Sequence, residues 1–306
     1  MSAYVAGYDV EAVYAWWDSE HTEHTGDNYD DVVSYEGDRL TECLAGVRAV
    51  AEVHLERDAP ATFFIVARLL DVARSELVEI LDHPIFDIAS HSYTHPDIKA
   101  YLHDGHRLRY EIVDSKAAIE DAFGREVVGF TTPGGYEDGY ICVPKVLEIF
   151  QEAGYRYLRS VGCGPHYSMP APLHQPFWYD DEGCADLLEI PTHAWHDNVL
   201  TGQHGLVSWP PILPWDYPTE MPTDAQGVYE AYAPGIEHTA RAGLVAYVPT
   251  FHPWSIYRVD KRASHIGMLL DHAAGVLDIR SCAQLYEQVR AAPELAAVRP
   301  KLALAG

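Results

Sequence analysis

The feature that most constrains the fold is a regular alternation of strand and helix patterns. Short runs of β-branched and aromatic residues are followed by longer segments with apolar residues at helical spacing. The predicted strands cover residues 4–10, 61–69, 86–92, 127–133, 156–160, 185–191 and 243–253. The predicted helices cover residues 39–56, 74–82, 106–124, 143–155, 262–276 and 281–291. Such alternation is typical of a parallel sheet, and we predict an α/β protein whose sheet closes into a barrel.

The chain reads as one domain. No internal repeat or low-complexity segment interrupts the pattern over the 306 residues, so we predict a domain spanning 1–306. A proline- and tryptophan-rich stretch at about 192–235 is predicted to be an insertion. Because loops of this length in compact domains tend to be functional, we expect it to cover a site or to contact a second subunit of a homo-oligomer.

Composition narrows the classes of partner. A net charge of −25 disfavours nucleic acid, whose phosphates require clustered cations, and fits either a high-salt habitat or ordinary solubility. The sequence contains no run of about 18 apolar residues, so we expect no membrane-spanning segment. The N-terminus lacks the basic region of a signal peptide, and the five cysteines show no CxxC spacing. We therefore expect a cytoplasmic protein with free thiols.

Polar side chains collect at the predicted carboxyl ends of the strands. Asp9 and Glu11 lie at the end of the first strand, His91 and His95 at the end of the third, and His252 at the end of the last. In a parallel barrel these ends meet on one rim. We therefore expect two carboxylates and three imidazoles to converge.

This set of residue types suits the hydrolysis of an amide. Two imidazoles and one carboxylate can hold a divalent ion and leave positions open for water and substrate. Such an ion lowers the pKa of water and polarises a carbonyl. The second carboxylate can accept the proton of the water, and a histidine across the site can protonate the leaving amine. The residue types alone do not decide which carboxylate holds the ion.

The order of six motifs resembles the polysaccharide deacetylase superfamily. The motifs are YDVE, PATFFI, HSYTHP, TTPGG, LLEIP and TFHP, and the resemblance runs from about residue 4 to residue 290. This superfamily has the NodB homology domain and includes carbohydrate esterase family 4. The resemblance implies a distorted (β/α) barrel with about seven parallel strands, fewer than the eight of the standard barrel. It also implies a metal-dependent hydrolase acting on carbon–nitrogen bonds other than peptide bonds.

The resemblance assigns roles to the clustered residues. Asp9 matches the family's catalytic base, His91 and His95 match its metal ligands, and His252 matches its general acid. The D-V-E pattern is similar to the peptidoglycan-deacetylase-like and allantoinase-like branch, in which the second acid, here Glu11, is the ligand. Alternation along a strand keeps residues 9 and 11 on one side. The implied ion is zinc, with cobalt, manganese and nickel as alternatives, and a reversal of Asp9 and Glu11 stays open.

Two motifs depart from the family pattern. Thr131 stands where the family has an arginine that braces the base, and Trp195 with Asp197 only loosely matches the fourth motif. A backbone N–H near Gly134 is the expected oxyanion donor. Tyr136 and Trp195 are the expected substrate contacts.

Three functions follow from these residues. The first is deacetylation of an N-acetylated sugar or a related small amide. The second is ring opening of a cyclic amide by an allantoinase-like or imidase-like enzyme. The third is a carbohydrate-binding relative that has lost catalysis through loss of the family's arginine. Metal content, followed by activity on N-acetylated sugars beside cyclic imides, distinguishes them.

Overall fold

The computed structural model describes residues 2–12, 34–202 and 209–298. Within these ranges strands and helices alternate as the sequence predicts. The strands are β1 (Ala3–Val5), β2 (Gly7–Val10), β3 (Ala61–Ile65), β4 (Phe86–Ser90), β5 (Gly129–Tyr136), β6 (Tyr157–Val161), β7 (Phe177–Tyr179), β8 (Cys184–Glu189), β9 (His193–His196), β10 (Ala246–Tyr247), β11 (Pro249–Phe251) and β12 (Asp278–Arg280).

The helices lie outside the strands, where α1 packs on α8 and α7 packs on α9. Their bounds are α1 (Gly37–Leu55), α2 (Leu70–Leu81), α3 (Gly105–Arg109), α4 (Ser115–Phe123), α5 (Pro144–Glu152), α6 (Asp197–Gly202), α7 (Ala225–Ala242), α8 (Pro253–Val259), α9 (Ser264–Ala274) and α10 (Cys282–Ala291). The largest apolar core fills the space between these helices and the sheet.

The main sheet confirms the α/β class with parallel strands. Its order is β7-β8-β6-β5-β4-β3-β2-β11-β9. All of its neighbouring strands are parallel except β7, which is antiparallel to β8. In the described ranges, eight consecutive strands of this sheet are thus parallel, close to the expected number.

The sheet is curled around an interior. Arg159 on β6 donates a hydrogen bond to Asp9 on β2, although β5, β4 and β3 lie between them in the sheet. Near the open end, the Thr192 N–H just before β9 donates to the Val161 carbonyl on β6 at 2.8 Å. Such contacts are reached only in a closed or nearly closed sheet. The distorted barrel that the sequence predicts is therefore the observed fold.

Three predicted elements are divided in the structure, and one of them is the last predicted strand, 243–253, which forms β10 and β11. The first strand forms two: β1 joins a separate sheet in the order β10-β1-β12, and β2 joins the main sheet. Every residue from Ala3 to Val10 is buried, so no alternation of burial marks the break. The helix predicted at 106–124 contains a single turn of π-helix, Tyr110–Asp114, between α3 and α4, which is called the π-turn below.

The predicted insertion contains regular structure. It begins with β9, which pairs with β11, continues into α6, and ends inside α7. Residues 203–208 of the insertion lie outside the described residues. Helix α7 was not predicted, because Pro234 inside it removes a backbone donor and normally ends a helix.

Two observations bear on the expectations from composition. In the part of the chain that the structure describes, none of the helices combines the length and apolarity that a membrane crossing requires. The five cysteines are free, and four of them are buried.

Candidate metal and acid–base site

The candidate site lies at the carboxyl ends of β2, β4 and β11. Asp9 is on β2 with Glu11 just after it, His91 follows β4 directly, and His252 follows β11 directly. With His95, these residues are exposed by 5% or less. The structure thus brings together the five residues that the sequence predicted to converge.

Glu11 and the two histidines form a compact group. Glu11 Oε2 lies 2.9 Å from His91 Nε2 and 2.6 Å from His95 Nε2. One ligand atom from each of the three residues lies within 4.8 Å of the others. Two imidazoles and a carboxylate at this spacing are a ligand set suited to a divalent ion.

The hydrogen bonds of His91 test whether an ion fits. His91 Nδ1 lies 3.0 Å from the Thr131 carbonyl, which only accepts, so Nδ1 carries the proton. In a neutral ring Nε2 then presents a lone pair to the Glu11 carboxylate, 2.9 Å away. Two acceptors at this distance repel unless a cation or a proton lies between them. The residues therefore fit a divalent ion, and Thr131 orients one of its ligands.

The charge state of Glu11 agrees with this fit. Burial by itself would raise its pKa, but the neighbouring His95 holds the pKa of Glu11 well below its usual range. The carboxylate is therefore ionised at neutral pH and can act as a ligand.

Asp9 is braced by an arginine that the sequence analysis did not identify. The Arg159 guanidinium donates to Asp9 Oδ1, and Arg159 Nε donates to Thr131 Oγ1 at 3.0 Å. Gly7 leaves room for it, since a Cβ there would lie 3.3 Å from Arg159 Nη1. Thr131 thus does not replace the missing arginine but holds another one, supplied by β6. An arginine near the end of the strand predicted at 156–160 was the available signal, because arginine is almost never fully buried without a partner.

The second oxygen of Asp9 lies between the metal group and His252. Asp9 Oδ2 is 4.0 Å from His91 Nε2 and 3.9 Å from His252 Nε2. Arg159 occupies Oδ1 and keeps the carboxylate in place. Oδ2 is therefore the oxygen that can exchange a proton with a molecule held in this space.

His252 is held by Asp197. Asp197 Oδ1 accepts from the His252 backbone N–H at 3.0 Å and lies 2.6 Å from His252 Nδ1. Nε2 therefore points into the site, 3.6 Å from Glu11 Oε1. Burial would lower the pKa of His252, but Asp197, with Glu11 and Asp9, outweighs it and raises the pKa to about 9. His252 is thus protonated at neutral pH and suited to donate a proton.

His196 is a second imidazole beside His252, and the two ring centres are 6.1 Å apart. Its Nε2 donates to the Gly162 carbonyl at 3.0 Å. Burial and the neighbouring His252 lower the pKa of His196 to about 4. Two adjacent imidazoles therefore carry different charges at neutral pH, His252 cationic and His196 neutral.

The three residues expected to contact substrate are placed differently. Gly134 is exposed near the end of β5, on the same rim as the site. Tyr136 is buried, and its hydroxyl donates to Asp97 Oδ1 at 2.7 Å. Trp195 is fully buried with its ring 5.2 Å from that of Tyr217, and it packs near Tyr232 of α7. Neighbouring side chains on a strand point to opposite faces, so Trp195 lies away from the side of His196 and does not join the metal group.

The fold and the site define an α/β barrel with a candidate metal and acid–base centre at the carboxyl ends of its strands. Residues 38–158 match the polysaccharide deacetylase family model, and this stretch contains His91 and His95. The resemblance that the motifs indicate is confirmed. This family consists of hydrolases acting on carbon–nitrogen bonds other than peptide bonds, so the expected enzyme class is confirmed at the level of the family. None of the curated proteins matches the sequence.

Three solved structures are similar to this chain in fold. A protein from Mycobacterium smegmatis described as a polysaccharide deacetylase has 19% identity and a TM-score of 0.66, over 98% of this chain and 95% of that one. An allantoinase has 16% identity and a TM-score of 0.63, over 95% and 90%. A protein from Pseudomonas aeruginosa PAO1, also described as a polysaccharide deacetylase, has 12% identity and a TM-score of 0.61, over 95% and 90%. At these identities the similarity describes the fold and not the activity.

Proposed function

We propose that this protein is a metal-dependent hydrolase that cleaves an amide bond of a small molecule. The observation that supports this most is the arrangement around Asp9 Oδ2. That oxygen lies 4.0 Å from a nitrogen of the metal group on one side and 3.9 Å from protonated His252 on the other. A proton acceptor and a proton donor thus meet beside one candidate Lewis-acid centre.

Each residue has a separate task in this proposal. Glu11, His91 and His95 hold the ion, which when bound supplies a Lewis acid that polarises the amide carbonyl and acidifies water. Asp9 Oδ2 takes a proton from the attacking water, while Arg159 keeps the carboxylate oriented. His252 Nε2 gives a proton to the leaving nitrogen, while Asp197 keeps the imidazole oriented and charged. Gly134 stays the proposed source of an oxyanion donor.

The burial of the site favours a small substrate. Asp9, Glu11 and His252 are exposed by 5% or less, which leaves little access for the interior of a polymer. We propose deacetylation of an N-acetylated sugar or a related small amide. Ring opening of a cyclic amide is the second candidate, since one protein of similar fold is an allantoinase.

A catalytically inactive relative is the least supported of the three functions. That hypothesis rested on the loss of the arginine at position 131. Arg159 braces Asp9 from β6, so the base retains an arginine partner. Asp197 likewise supplies the partner of His252 that the sequence matched only loosely.

Several finer points belong to the proposal. Zinc is the proposed ion, with cobalt, manganese and nickel as alternatives. A cytoplasmic homo-oligomer is the proposed state. The segment 192–235 is proposed to close over the site from the same chain or from a partner subunit.

The proposal is tested by metal content and substrate choice together. Elemental analysis of the purified protein should find one divalent ion per chain, and His91→Ala and His95→Ala should each lose it. His265→Ala is the control, because His265 is buried on α9 away from the group. Metal retention in both site variants would contradict the proposal. Hydrolysis of N-acetylglucosamine beside hydantoin and succinimide then separates the linear from the cyclic amide.

A further inference from the structure

The loop that joins the two candidate ligand histidines has an unusual backbone. His91 and His95 are separated by three residues, and two residues of this short loop, Ser92 at φ 63° and His95 at φ 68°, adopt the left-handed region. Neither is a glycine, so the conformation is strained and must be held by its surroundings. The spacing of the two ligand nitrogens depends on this loop shape.

The loop backbone is held on its carbonyl side by the segment after β3. The Ala67 N–H donates to the Ser92 carbonyl at 3.0 Å, and the Arg68 N–H donates to the Tyr93 carbonyl at 3.0 Å. At its C-terminal end, the His95 N–H donates to Ser92 Oγ at 2.9 Å.

Glu111 holds the opposite side of the loop. Its Oε2 accepts from the backbone N–H groups of Tyr93 and Thr94, both at 2.9 Å. Its Oε1 accepts from Thr94 Oγ1 at 2.8 Å and lies 3.1 Å from Arg107 Nη2. Glu111 is completely buried, and its carboxylate contacts the residues between the two ligands rather than either ligand.

Glu111 belongs to the π-turn. This turn spans Tyr110–Asp114, and the carbonyls of Glu111 and Ile112 accept from the Ser115 hydroxyl at 2.7 Å and 3.1 Å. Tyr155 also donates its hydroxyl to the Ile112 carbonyl at 2.8 Å. π-turns inside helices occur often at functional sites, and here the turn carries the residue that reaches the ligand loop.

We infer that Glu111 is a positioning residue for the metal site, which sets the distance between His91 and His95 by fixing the loop between them. This inference rests on the proposed function, because it requires the Glu11–His91–His95 group to bind an ion. Groups that orient ligands from outside the coordination sphere contribute substantially to metal affinity. Glu111 acts one step further out, through the peptide groups that carry the ligands.

Glu189 provides a matched control. It is also completely buried, and it also accepts from two consecutive backbone N–H groups, those of Ser160 and Val161, at 2.6 Å and 2.7 Å. It further accepts from the Ser160 hydroxyl at 2.6 Å. The residues that it contacts, at the end of β6, include no candidate metal ligand. Loss of either carboxylate therefore removes a similar set of hydrogen bonds, but only Glu111 contacts the loop between two candidate metal ligands.

The experiment is a competition titration of the full-length protein with zinc and a chelating indicator. Glu111→Ala is expected to weaken zinc affinity about 10–100-fold, the range found for residues that orient ligands. Glu189→Ala should leave zinc affinity unchanged although both variants lower the melting temperature. Glu111→Gln can keep one acceptor for the two backbone N–H groups, so it should fold and show a smaller loss. Raising the zinc concentration should restore binding in both Glu111 variants.

Three outcomes would overturn the inference. If Glu111→Gln and Glu111→Ala bind zinc as tightly as the unaltered protein, Glu111 does not position the site. If Glu189→Ala weakens binding equally, the effect is general loss of stability. If the unaltered protein binds neither zinc nor another divalent ion, the proposed function itself fails, and the inference fails with it.

Discussion

Carboxylates at the two ends of the parallel sheet have opposite surroundings. Asp87, at the amino end of β4, is half-buried, and one of its oxygens accepts from Thr62 Oγ1, the Tyr157 hydroxyl and the Ala283 N–H at 2.7–3.1 Å. Asp9, at the carboxyl end of β2, has a charged partner on one oxygen, and its other oxygen faces two imidazoles from about 4 Å. Asp87 accepts these hydrogen bonds from neutral donors, whereas Asp9 Oδ2 stays available for proton transfer.

Two buried histidines differ in the same way. His54 on α1 lies 2.8 Å from the Tyr8 hydroxyl and 2.9 Å from the Ala59 carbonyl, and burial lowers its pKa to about 4. His252 has a carboxylate on Nδ1, and its pKa is raised to about 9. Burial alone therefore does not distinguish a structural residue from a functional one. What distinguishes them is the charge of the hydrogen-bond partner and which ring nitrogen faces the site.

The largest expected effect is the loss of the base. Asp9→Asn should lower kcat by about 10²–10⁴-fold, the usual contribution of a general base. Metal content should stay close to that of the unaltered protein, whereas the melting temperature should fall, because asparagine leaves the buried Arg159 guanidinium without a charged partner. Asp87→Asn is the matched control, because the oxygen that accepts all three hydrogen bonds can be supplied by the amide. If Asp9→Asn instead releases the metal, Asp9 is a ligand and the roles of Asp9 and Glu11 are reversed.

The next effect concerns Arg159. Arg159→Met leaves the buried Asp9 carboxylate without its partner and should lower the free energy of unfolding by about 3–5 kcal/mol. Arg156→Met, which removes an exposed pair with Glu126, should cost about 0–1 kcal/mol. Urea denaturation measures both. The double variant Asp9→Asn with Arg159→Met should be more stable than Arg159→Met alone, and equal stability would show that the two side chains are not coupled.

The pH profile tests the pair of His252 and Asp197. Protonated His252 is the active form, and its pKa of about 9 lies above the ordinary value of 6.5, so activity should fall as the pH rises toward 9. Asp197→Asn removes the charge that raises this pKa, and the alkaline limb of kcat/KM should move to lower pH by about 1–3 units. Asp87→Asn should leave the limb in place. An unmoved limb in Asp197→Asn would assign it to another group.

The last expected effect is on acid stability. Four buried histidines, at positions 54, 193, 196 and 265, have pKa values lowered to about 4 from 6.5. Their neutral forms stabilise the fold above pH 6.5, and this contribution is lost as the pH falls toward 4. His54→Gln should make this loss less steep in urea denaturation with chelator present. A steeper loss would contradict the lowered pKa of His54.

The sequence predicted the fold and the convergence of five residues because both leave local signals. Strand–helix alternation has a fixed period, and Asp9, Glu11, His91, His95 and His252 all lie within five residues of the carboxyl end of a strand. Arg159, Asp197 and Glu111 were harder to assign because their roles come from contacts between distant strands and helices. Arg159 and Asp9 are 150 positions apart. Glu111 does have a signal, since it lies at a core-facing helical position between Leu108 and Ser115.

The division of the first strand at Ala6 affects the order in which the molecule can assemble. β1 pairs with β10 and β12, so Ala3 lies opposite Ala246 and Asp278 at the far end of the chain. β2, which carries Asp9, pairs with the late strand β11 as well as with β3. These pairings close very long loops and slow folding, since contacts between distant positions form late. During synthesis the ligand loop after β4 can form early, but β11 and His252 arrive only with the last fifth of the chain. A growing chain would therefore acquire the residues for ion binding well before it could complete its proton-transfer pair.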